Sequence, residues 1–167
     1  MHKAFVDIEN EFNEIAQEAE HLSLALNRHL TGPDLPHGQE AWELAHVLAS
    51  ATEKIYTGCE RVMSHIAREV DGARIGHSEE WHAALLRRMA NPFPGVRRAI
   101  ISAECYAQLD RLRAFRHRER NTYGLNLDLD VVVQRANEAI VALRKFHEEA
   151  RTFLADWTDD RNASGAP

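Results

Sequence analysis

Chemistry-bearing side chains crowd into one run of this chain, Phe115-Arg116-His117-Arg118-Glu119-Arg120-Asn121-Thr122-Tyr123-Gly124. A guanidinium there can grip and polarise a phosphate. An imidazole can move a proton near neutral pH, because its unperturbed pKa is about 6.5. Asparagine moves no proton and only donates or accepts hydrogen bonds. His117 and Asn121 are i,i+4 neighbours on one helical face. The run ends a locally basic segment: residues 97–120 hold seven arginines against Glu104, Asp110 and Glu119. Residues 1–60 are the reverse, with eleven acidic side chains and three Lys or Arg, and the whole chain carries −6. Such a basic segment is either a solvated helix face or a surface that binds phosphate.

The phase of this segment singles out Arg116. At 100° per residue, Cys105, Leu109 and Leu112 form an apolar stripe that continues through Arg116, Arg120 and Tyr123, all within about 80°. Arg116 therefore sits where the pattern wants a core residue. An unpaired buried arginine is costly. Arg116 must meet a carboxylate, line a wet cleft, face a second subunit, or emerge into solvent where the helix leaves the core. Glu53 and Glu60 are the candidate partners for Arg116 or Arg61, as a structural ion pair or as part of a cleft.

The positioning elements are helices. Phe5, Ile8, Phe12, Ile15, Ala19, Leu22 and Leu26 recur at spacings of three and four, one stripe on a helix broken at Gly32-Pro33. Trp42, Ala45, Ala49, Thr52, Tyr56, Cys59, Met63, Ile66 and Val70 mark a second helix ending near Asp71-Gly72. The two near-heptad stripes predict antiparallel packing, with Trp42 and Tyr56 in the core. Ser78 is the expected cap of a short helix carrying Trp81, Leu85, Leu86 and Met89, which Asn91-Pro92 ends. His82, beside Trp81, is expected to hold that helix by a hydrogen bond. Ser102 caps the helix over 103–121, Gly124 interrupts it, and 126–128 form a turn. A last long helix covers roughly 129–157. The fold class is all-α, an up-and-down bundle with a short helix inserted between the second and third long ones. Residues 1–157 form one domain, and the polar residues 158–167 are expected to be a disordered tail.

Other chemistries find little support. Cys59 and Cys105 lie on apolar stripes and read as small buried hydrophobes. The ten histidines show no ligand spacing, so no metal is expected, and no glycine-rich phosphate loop precedes a helix. No cofactor is expected. No apolar run reaches the ~20 residues of a membrane span. With no signal-peptide core at the N-terminus, the cytoplasm is the expected compartment.

The 115–124 run resembles the signature of HepT-like proteins in the HEPN superfamily, where Arg is followed after four residues by His, then one residue, then Tyr. Glu53-Lys54-Ile55-Tyr56, Glu60-Arg61, Trp81-His82-x-x-Leu85-Leu86-x-x-Met89 and Val96-Arg97-x-Ala99-Ile100-Ile101-Ser102 extend the resemblance over roughly 40–155. It implies a homodimeric helical bundle whose two motifs meet in a cleft. It also implies metal-independent cleavage of RNA by a toxin, and an antitoxin partner that is an MNT-type nucleotidyltransferase. By position Arg116 matches the motif arginine and Tyr123 the tyrosine that such partners modify with AMP. Asn121 stands where the motif has histidine. Arg116 would then polarise the phosphate, Asn121 would position it, His117 would be the substitute base, and Arg113 and Arg120 would hold flanking phosphates. Two other readings stay open. One is an inactive homologue that binds RNA, a nucleotide or a nucleotidyltransferase; the other is a purely structural helical dimer.

Overall fold

The computed structural model describes residues 3–32, 36–73, 80–121 and 127–164, except for the side chains of 3, 4, 30, 119–121 and 160–164. They form α1 (Lys3–Leu30), α2 (Gly38–Glu69), α3 (Trp81–Ala90), α4 (Ala103–Asn121) and α5 (Leu129–Ser164). Among the described residues the only extended pairing is an isolated bridge between Phe93 and Arg97. The all-α bundle with its short inserted helix is therefore the observed fold.

Ion pairs report the directions of the helices. Lys54 meets Glu18 and Arg61 meets Glu11, so α2 rises as α1 falls. Glu104 meets Lys145 and Arg111 meets Glu138, which sets α4 antiparallel to α5. The stripe positions from Ile8 to Leu26 and from Ala45 to Val70 are buried as expected. Trp42 is not. It is 49% exposed and lies on His46, with ring centroids 4.1 Å apart. The α1–α2 register explains the difference, because Trp42 lies level with the end of α1 and no facing turn remains to cover it.

Gly58 sets how closely these two helices approach. A Cβ there would stand 2.4 Å from Cγ1 of Ile15. Glycine costs a helix interior about 1 kcal/mol relative to alanine, and here the missing side chain makes room for Ile15.

Helix ends follow local chemistry. Ser102 Oγ accepts the N–H of Cys105 at 3.2 Å, the expected cap of α4. Glu149 of α5 then accepts both Ser102 N–H and Ser102 O–H at 2.7 Å each, tying the start of α4 to its neighbour. Asp128, expected within a turn, also caps α5 by accepting the N–H groups of Asp130 and Val131. α5 runs to Ser164 instead of stopping near 157. Nothing in 158–164 breaks a helix, and Gly165 follows directly. The expected Ser78 cap and the Gly124 break lie outside the described residues.

The α3–α4 connection is built around Arg97, whose side chain is 1% exposed. It donates to both oxygens of Asp71 at 2.6 and 3.0 Å, and to the backbone carbonyls of Arg88, Asn91 and Arg98. Asp71 also accepts from Arg88 at 3.0 Å. Burial opposes ionisation of Asp71, but the two guanidinium groups outweigh it and hold its pKa below the usual carboxylate range.

Candidate functional site

The second half of α4 presents its side chains in two directions. One face packs on α2 and α3. Phe115 is buried, and Arg116 follows it with 12% of its side chain exposed. Arg116 lies 3.6 Å from Glu53 and 3.9 Å from Glu60, both on α2. The stripe thus delivers an arginine to two carboxylates, as the sequence required. These are charge contacts longer than hydrogen bonds. Nε of Arg116 is buried with no hydrogen-bond partner among the described residues.

Glu60 is the hub of this cluster. Its side chain is 4% exposed, and its second oxygen lies 2.5 Å from Nδ1 of His82 on α3. The expected hydrogen bond holding α3 is therefore present, and its partner is Glu60. Trp81 lies against the His82 ring at 4.0 Å between centroids. Tyr56, one turn before Glu60, is buried, and among the described residues its hydroxyl makes no hydrogen bond of good geometry. Burial first, and then the neighbouring Glu60 charge, push that hydroxyl far above the usual phenol range. Three helices thus converge on one buried carboxylate, with an arginine held beside it.

The other face of α4 looks toward α5 and solvent. Arg111, Arg113, Ala114, His117 and Arg118 line a groove of about 380 Å³ with Arg135 of α5. Arg113 donates to Asp110 at 2.7 Å, and Arg111 and Arg135 both reach Glu138. Of the expected site residues, the structure brings Arg113 and His117 into this groove and places Arg116 on the neighbouring face, against α2. The side chains of Arg120 and Asn121, and all of Tyr123, lie outside the described residues.

Two arginines of the basic segment leave the candidate surface. Arg97 is the buried clamp described above. Arg98 pairs with Asp156 at 2.7 Å and lies over Phe153. Arg135 is the residue that reading the basic segment missed. It stands about 60° from the buried Val132 on α5, at the edge of the stripe that faces α4. Both cysteines are buried, and burial raises both thiols, Cys105 to about 12 with Glu149 adding to the effect. Neither is a nucleophile at neutral pH. Among the described residues no cluster has the makings of a metal site, and no helix is long and apolar enough to cross a membrane.

The family described as HepT-like protein matches residues 47–157. The chain belongs to the HepT-like family. The matched span of this HepT-like protein contains Glu53, Glu60, His82 and Arg116, as well as every side chain lining the α4–α5 groove. It begins within α2 and leaves α1 outside. No curated protein and no solved structure matches the chain.

Proposed function

We propose that this HepT-like protein is the toxin of a toxin–antitoxin module and cleaves RNA without metal as a homodimer. The observation that carries this reading is Arg116. It is taken out of water on the motif helix, charged against Glu53 and Glu60, yet not locked by hydrogen bonds to them. A phosphate oxygen offers it a better partner at hydrogen-bond distance. Attack of a ribose 2'-oxygen on phosphorus makes one P–O bond and breaks the bond to the 5'-oxygen. Arg116 would stabilise the charge gathered on the phosphorus oxygens. His117 would take the 2'-hydroxyl proton, and Asn121 would orient the phosphate. The leaving 5'-oxygen would have to take its proton from water, because Asn121 is no acid.

That last point favours a second reading, a non-catalytic homologue that binds RNA, a nucleotide or a nucleotidyltransferase through the same surface. Cleavage in EDTA by wild type, Arg116→Ala and Asn121→His separates the two. Cutting by wild type that vanishes in Arg116→Ala supports the enzyme. Silence of wild type with cutting by Asn121→His supports the binder. The antitoxin would be an MNT-type nucleotidyltransferase encoded nearby, and Tyr123 its target. An added AMP would bring negative charge beside the motif arginines and oppose RNA. A mass increase on Tyr123 after incubation with that partner and ATP is the expected result; modification confined to other residues would sink this part.

A further inference from the structure

We infer that the α4–α5 groove is the track for the RNA strand flanking the scissile phosphate, with Arg111, Arg118 and Arg135 as phosphate ligands beside Arg113. This rests on the RNA reading above. Arg111, Ala114 and Arg118 share one face of α4 at spacings of three and four, and Arg135 faces them from α5. Ala114 leaves the floor open between the long side chains. Among the described residues the carboxylates that reach Arg111, Arg113 and Arg135 are Asp110 and Glu138, and Glu138 is shared by two of the three arginines. Arg118 adds a further guanidinium to the wall, and His117 lines it. Arg135 is mostly buried, and among the described residues its Nε has no hydrogen-bond partner. A chain of phosphates suits this arrangement, since each can replace one arm of Glu138 and release counterions. The groove shares the second half of α4 with Arg116, which lies on the face turned to α2.

The strand-binding role is tested by fluorescence anisotropy of a short fluorescein-labelled single-stranded RNA, in EDTA, with Arg116→Ala as parent so that the probe is not consumed. Arg111→Ala and Arg135→Ala are each expected to weaken binding roughly 3- to 10-fold and to lower the slope of log affinity against log salt by about 0.7. Glu138→Gln is expected to tighten binding, because phosphate no longer competes with a carboxylate. Arg98→Ala, away from the groove, is expected to leave binding unchanged. Circular dichroism checks the fold of each variant, and Arg111, half exposed, is the substitution least able to disturb it. A parent that binds while Arg111→Ala, Arg135→Ala and Glu138→Gln all match it overturns the groove and leaves the RNA reading standing. Wild type that neither binds nor cuts RNA in EDTA at low salt removes both.

Discussion

Arg97 and Arg116 are both largely withdrawn from water, and both face carboxylates supplied by α2 or the residues just after it. Arg97 uses every N–H it has: two bonds to Asp71 and three to backbone carbonyls. Arg116 has two carboxylates at 3.6 and 3.9 Å and a buried Nε with no acceptor among the described residues. The first arrangement is closed and can only hold structure. The second stabilises the charge while leaving donors for something else. Burial alone does not separate these two arginines; the hydrogen bonds each makes among the described residues do.

The sharpest way to break this comparison is to remove each arginine in turn. Arg97→Ala leaves Asp71 buried without its main partner and is expected to cost about 3–5 kcal/mol of stability, measured by urea unfolding. Any RNA cleavage per folded molecule should survive. Arg116→Ala should show the opposite profile, with cleavage down by about 100- to 1,000-fold and a small change in unfolding midpoint. If Arg116→Ala proves the more destabilising of the two, the distinction between closed and open sites fails.

Acid sharpens the same contrast. The pKa of Asp71 is lowered in the folded protein, so its contribution is fully present above the unfolded value of about 3.9. It is lost as pH falls through the folded value. The stability gap between wild type and Asp71→Asn should therefore be constant above about pH 5 and shrink below about pH 4. Unfolding curves at several pH values would show it, and a gap that persists undiminished into strong acid would contradict the ion pair. Smaller still is the effect expected at Gly58. Gly58→Ala gains helix propensity but crowds Ile15, for a net loss of about 1 kcal/mol. Adding Ile15→Ala should remove that crowding penalty in a double-mutant cycle. Trp42→Ala, on the exposed end of α2, should change stability by less than about 0.5 kcal/mol from contacts of the ring with His46.

The helices were legible because a 3.6-residue period is a local property, and every stripe from α1 to α5 could be traced along the chain. Arg116 was legible for the same reason: it interrupts a stripe. Its partners Glu53 and Glu60 were nameable because α2 had its own phase. Trp42 was misjudged because periodicity does not say where a facing helix ends. The Arg97–Asp71 clamp was invisible for a different reason, since it joins two loops whose approach only the finished bundle fixes. Arg97 consequently counted among the surface arginines. Arg135 was missed because the basic segment was taken along the sequence, and the groove is made across two helices. The Glu60–His82 bond was half legible: the histidine announced a structural role, but its acceptor lies on another helix.

The notch at Gly58 also sets an axial address. A shift of α1 by one turn, about 5.4 Å, would bring Glu11 or Ala19 to the notch in place of Ile15 and separate Lys54 from Glu18 and Arg61 from Glu11. Gly58 lies within the span shared with the family, whereas α1 lies outside it. A relative built without this first helix would have no physical reason to keep glycine there, and one that carries it in the same register would. The residue at this single position thus reports, in any relative, whether a first helix is docked as it is here.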